Sequence, residues 1–108
     1  MRLLVLQQKV APIFFNVPAA RDQLAKEGEV YTLRRRRKTV GETMAREGDL
    51  FRFKELGRVS IEEVKEISSC DEGELGEYLG KSGFRSVESW CAARAAGASV
   101  LYRVVRKK

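Results

Sequence analysis

Five consecutive cations, Arg34, Arg35, Arg36, Arg37 and Lys38, stand in the chain without an acid among them. Adjacent like charges repel, so stability alone does not gather them there. The planar fork of arginine matches two phosphate oxygens at once, and arginine outnumbers lysine here by 13 to 8. The chemistry that suits this run is recognition of a polyanion; a solvated basic loop is the bland alternative. Tyr31, at the edge of the run, has a ring that can stack on a base or simply pack as a strand residue. Arg46, Arg52, Arg58 and Arg85 join the same face if their segments lie beside the run. A weaker constellation is Lys38, Thr39 and Glu42. A lysine desolvated among arginines would favour its neutral form and could serve a hydrolase as base, but this spacing is short and common.

Other chemistries are excluded by what is missing. The chain has no histidine, which removes Ser-His and Cys-His nucleophile pairs and the zinc sets that contain His. Neither the GxxxxGK[ST] phosphate loop nor the GxGxxG turn occurs. No metal and no cofactor is expected. Seven acids crowd Glu62 to Glu77 against the single base Lys65, which reads as a solvated acidic flank. From Tyr78 onward seven bases face the single acid Glu88, so an acidic flank and a basic face are expected on one molecule. Cys70 and Cys91 lack the spacing of a metal site and are expected as reduced thiols, Cys91 buried in a helix; a disulfide is the minor alternative.

The elements that must position the basic run are short. Leu3 to Leu6 reads as a buried first strand, and Pro12 keeps Ala11 to Phe15 out of any central strand. Asn16 is a candidate N-cap for a support helix with Pro18 in its first turn, Val17, Ala20 and Leu24 on its inner face, and Gly28 past its end. Val30 to Leu33 reads as a strand before the run. Asp49 to Phe53 reads as a second strand after the turn signal Gly48-Asp49, with Glu55-Leu56-Gly57 as a hairpin turn. Arg58 to Ile67 is ambiguous. Ile61, Val64 and Ile67 repeat at helical spacing behind a Ser60/Glu63 capping box, whereas Val59 and Ile61 alternate. A strand with a bulge near Glu62-Glu63 is preferred, because it gives the hairpin its second arm. Asp71 and Ser86 cap two short helices. The second, Val87 to Ala96, carries Val87, Trp90, Cys91 and Ala95 inward, with Trp90 expected as core. Val100 to Val105 is a last strand before the cationic end Arg106 to Lys108.

One domain over residues 1–108 follows from the length, with a net charge of +6, 44% hydrophobic and 33% charged residues. Such a chain folds, and its positive balance favours nucleic acid as partner. The apolar run from Arg2 to Leu6 is too short for a signal peptide, and no stretch is long enough to span a bilayer; a cytoplasmic monomer without membrane contact is expected. Short strands with peripheral helices suggest an α+β fold built on a small closed or nearly closed barrel.

The layout resembles the ASCH family of PUA-like β-barrels. The likeness rests on the helix ending at Gly28 before EVYTLR, the GD turn opening LFRF, the arm RVSIEEVKEI, and SGFRSVESW leading into the late helix. The resemblance implies a barrel with a cleft for RNA and, in some relatives, hydrolysis of RNA or modified nucleosides. The family motif is glycine, one residue, lysine, two residues, glutamate, one residue, arginine. Aligned on Gly28, its last three positions are Val30, Leu33 and Arg35; aligned on Arg34, the lysine and glutamate positions become Glu29 and Thr32. The arginine survives in either register and the other two do not. RNA binding through the face of Arg34 to Lys38 is therefore the expected function, with a metal-independent hydrolase using Lys38, Thr39 and Glu42 as the alternative.

Overall fold

The structure, a computed structural model, describes residues 9–107. The expected first strand at Leu3–Leu6 and the terminal Lys108 lie outside the described residues.

The last strand of the chain is the centre of the packing. β5 (Val100–Arg106) pairs antiparallel on one side with β2 (Glu29–Arg34) and on the other with β4 (Phe53–Glu66). Successive side chains of a strand point to opposite faces, and β5 buries both. Val100, Tyr102 and Val104 join one core with Ile13, Phe15, Ala20, Leu24, Val30, Ala45, Val59 and Ile61. Leu101 joins a second core with Leu33, Ile67, Leu75, Val87, Trp90 and Ala98. The remaining strands are β1 (Ile13–Phe14), parallel to β3 (Gly41–Gly48), which pairs antiparallel with β4. The order is β1-β3-β4-β5-β2, a curled half-barrel whose edge strands among the described residues are β1 and β2.

The helices cover the two faces. α1 (Pro18–Glu27) places Ala20 and Leu24 in the first core and ends at Gly28, whose left-handed φ of 73° lets its N–H reach Leu24 O. α2 (Glu72–Leu75), a 3₁₀ turn (Gly76–Lys81) and α3 (Val87–Ala93) cover the second core. Asp71 and Ser86 cap α2 and α3 as expected, each side chain accepting the N–H three residues on. Gly83, in the turn between them, has a φ of +88°, and a Cβ there would lie 2.1 Å from Ala19 O of α1. Only glycine lets this turn sit so close to α1.

The preference for strand over Arg58 to Ile67 agrees with β4, and the bulge is there. Glu63 pairs with Tyr102 and Lys65 with Leu101, leaving Val64 as the extra residue. The bulge re-phases the strand, so Ile67, which plain alternation would put on the face of Ile61, joins Val64 in the second core while Ile61 serves the first.

Several expectations need correction. Val17 is 39% exposed instead of lying on the inner face of α1, and Ala95, past the end of α3, is exposed instead of inward. Asn16 does not cap α1; Val17 holds the cap position, and the Asn16 amide instead bonds Gly48 in both directions. The hairpin arms are β3 and β4, so Glu55 to Gly57 lies within a strand and Leu50 to Arg52 forms the turn. The cause is Asp49, whose carboxylate accepts from the N–H of Phe51 and of Arg52, both at 2.8 Å, and so winds the chain around itself. α3 stops at Ala93, three residues early, where Arg94 turns to an extended ψ of 147°. Finally, Cys70 and Cys91 form a disulfide with a Cα–Cα distance of 5.9 Å, because the second core draws the start of α2 against α3. No helix among the described residues is long and apolar enough to cross a membrane.

Candidate nucleic-acid interface

The basic run leaves β2 and is taken apart residue by residue. Arg36 turns to the acidic flank and bridges Glu63 and Glu66, both at 2.8 Å, and these two carboxylates raise its pKa, Glu63 the more strongly. Arg35 donates to Ala96 O at 2.9 Å. Arg37 is half-buried: its guanidinium donates to the carbonyls of Ala11 and Thr39, and its backbone N–H donates to the Tyr102 hydroxyl at 2.7 Å. Burial lowers its pKa. Lys38 is exposed and makes no hydrogen bond or ion pair among the described residues. The repulsion expected of five adjacent cations is relieved by sending them in different directions.

Arg34 turns inward. Its guanidinium lies 4.8 Å from the centroid of the Phe15 ring, and its Nε donates to the Thr32 hydroxyl at 3.1 Å. No carboxylate pairs with it among the described residues. Burial, and secondarily the charge of Arg37, pushes its pKa down to about 10, so it stays a cation at neutral pH while having lost much of its hydration. A cation held this way has strong uncompensated affinity for an anionic or acceptor-rich group.

The space that Arg34 faces is a cavity of about 200 Å³ between β1 and β2, the edge strands of the half-barrel among the described residues. Phe14 and Phe15 line it from the β1 side, Thr32 and Leu33 from β2, Asn16 and Ala20 from the start of α1. Trp90 and Arg94 close it from α3, with Phe84 beside them. Phe84 and Trp90 are nearly parallel, 12° apart with centroids at 6.4 Å. Trp90 is buried, as its place on the inner stripe of α3 implied, and it is a wall of the cavity as well. Arg94 donates to Ala98 O at 3.2 Å. The arrangement sets a cation, a hydroxyl and aromatic walls around a space for one small planar or anionic group. Phe15, Phe84 and Arg94 were not legible as site residues, since their meeting depends on how α1, β2 and α3 pack.

The other expected residues lie elsewhere. Tyr31 points to the opposite face of β2 from Arg34, its ring 5.1 Å from that of Tyr78 and packed on the second core. Arg46 bonds Glu55 at 3.0 Å and covers the Phe53 ring at 4.0 Å. Arg52 is exposed in the β3–β4 turn, Arg58 is exposed on β4, and Arg85 is exposed in the turn before α3. Lys38, Thr39 and Glu42 do not converge. Thr39 reaches toward Lys9 O at 3.5 Å, Glu42 pairs with Lys107 at 3.4 Å, and none of the three lines the cavity.

Set beside family models, curated proteins and solved structures, the chain matches none.

Proposed function

We propose that this chain is an RNA-binding module, a PUA-like barrel of ASCH type, which seats one unpaired nucleotide at the seam of the sheet with Arg34 as its anchoring cation. The observation that carries the reading is the Arg34 guanidinium, inward, partly desolvated and without a carboxylate partner among the described residues, facing a cavity lined by Phe15, Phe84 and Trp90. A single base or phosphate suits that space, whereas a paired duplex would have to stay outside it. Unpaired nucleotides are what aromatic and guanidinium planes recognise in RNA. The net charge of +6 supplies the long-range attraction.

The run then divides into unequal parts. Arg34 acts within the cavity, Lys38 contacts backbone from solvent, and Arg36 contributes least because its charge is already shared with Glu63 and Glu66. Anisotropy of a labelled, unpaired RNA oligomer, titrated at several salt concentrations, tests this. Arg34→Ala should weaken binding by about tenfold or more, the scale of a lost hydrogen bond to a charged group. Arg34→Lys should recover only part of the loss, since the ammonium lacks the planar fork. Lys38→Ala should make the slope of log K against log salt shallower by about 0.7, one phosphate contact on a single strand. A wild-type chain that does not bind the oligomer, or an Arg34→Ala variant that binds it unchanged, would overturn the reading.

A further inference from the structure

The most exposed apolar group of the described chain is not near the basic run. Phe51 is 92% exposed and Leu50 70% exposed, both in the turn that joins β3 to β4. This turn is built rather than loose. Asp49 N–H donates to Arg52 O at 2.8 Å, and the Asp49 carboxylate accepts from the N–H of Phe51 and of Arg52. Gly48, at a φ of +123°, closes the turn where a Cβ would lie 2.2 Å from Arg52 O. Behind it the Asn16 side chain donates to Gly48 O at 2.9 Å and accepts from Gly48 N–H at 2.7 Å. The hairpin also stands proud of the sheet, since β4 pairs with β5 only from Val59 onward. A bare phenyl ring is thus held out to solvent on a fixed mount.

The charges around the ring favour one kind of occupant. Every acid of the hairpin is engaged: Glu47 with Arg21, Glu55 with Arg46, and Asp49 with the turn's own backbone. Arg52, Lys54 and Arg58 have no ion-pair partner among the described residues. The exposed groups of the hairpin are therefore the Phe51 and Phe53 rings, Leu50 and three unpaired cations. The Phe53 ring, 43% exposed, carries the Arg46 guanidinium over it at 4.0 Å, so the apolar groups of the tip are interleaved with cations. A ring followed in the chain by the unpaired Arg52 and Lys54 suits a base with its neighbouring phosphates.

We infer that the β3–β4 tip is a second contact for single-stranded RNA, with a base stacking on Phe51 and neighbouring phosphates on Arg52 and Lys54. The inference rests on the RNA-binding reading of the Arg34 cavity and extends it outward. Asn16 joins the two places physically, because the same residue lines the cavity and clamps the base of the hairpin.

The test uses the full chain and a labelled, unpaired RNA oligomer long enough to reach both places. Phe51→Ala should weaken binding about tenfold, the effect of losing one stacked base, and leave the salt slope unchanged. Phe51→Trp should retain affinity and show an emission change on addition of the oligomer beyond the change that Trp90, in the cavity wall, gives in the wild type. Replacing Arg52 and Lys54 by Ala together should make the salt slope shallower by about 1.4, two phosphate contacts. If Arg34→Ala loses binding while Phe51→Ala does not, the tip is no contact and the cavity reading stands alone. If the wild type binds no oligomer, both fall. Vesicles containing phosphatidylserine and a sedimentation series serve as controls. Loss of vesicle binding or of self-association in Phe51→Ala, with RNA affinity unchanged, overturns the inference in favour of a lipid or self-contact.

Discussion

The hydroxyl of Tyr102, a side chain with no exposed surface, accepts the backbone N–H of Arg37 at 2.7 Å. A tyrosine from the centre of the first core thus reaches the middle of the basic run and fixes its path. This bond explains how a segment of like charges leaves β2 along a defined route, with Arg34 turned in and Arg36 turned toward Glu63 and Glu66.

Tyr102→Phe keeps the ring and removes only the acceptor. The Arg37 N–H then loses its partner in a half-buried position, which costs about 1–2 kcal/mol of stability. Urea unfolding should show the loss, and hydrogen exchange at the Arg37 amide should speed up more than exchange in β4. Unchanged stability together with unchanged exchange would mean that the loop holds itself without the core.

The sequence carried much of this frame but little of the site. β4 was readable only in part: Val59 and Ile61 alternate, but Ile61, Val64 and Ile67 suit a helix as well, and the strand was preferred as the partner of an arm at Asp49–Phe53 that the structure replaces with β3. The caps at Asp71 and Ser86 were readable because capping is local. β3 was not, since Ala45 is its one buried residue and the strand exists through pairing with β1 and β4. The cluster Arg34 to Lys38 was plain as charge. Its fates were not, because the partners lie far along the chain, at Ala96 for Arg35, Glu63 and Glu66 for Arg36, and Ala11 for Arg37. The disulfide escaped for the same reason: the meeting of α2 and α3 is a product of the second core.

That disulfide bears on the cavity through α3. Cys91 follows Trp90 directly, and its bond to Cys70 ties α3 to the chain segment before α2. The cysteines are 21 positions apart, a loop for which cross-linking contributes about 3 kcal/mol by restricting the unfolded chain. Replacing both cysteines by Ser should lower the urea midpoint accordingly, and the wild type in a thiol reductant should match the variant. The emission of Trp90 should shift to the red if α3 loosens from its place. An equal midpoint for the oxidised chain and the double variant would show that packing alone holds α3.

The far end of β2 supplies the pH dependence. Glu29 pairs with Lys81 at 2.6 Å and with Arg103, joining β2 to the 3₁₀ turn and to β5. Hydrogen bonds from Lys81 first, and then from Arg103, hold its pKa below the ordinary 4.5. A carboxylate whose pKa is depressed in the folded state stabilises that state above its unfolded pKa and ceases to do so as pH falls through the folded value. Wild type should therefore exceed Glu29→Gln in stability at neutral pH, and the gap should begin to close below pH 4.5. Asp49, Asp71 and Glu74 are also depressed and destabilise both proteins in acid, but they cancel in the difference. Urea titrations of the two proteins, stepped from neutral pH to about pH 2, measure that difference across the window in which the linkage relation places it. A gap that stayed constant to the acid limit would assign the contribution of Glu29 to packing of its side chain instead of to its charge.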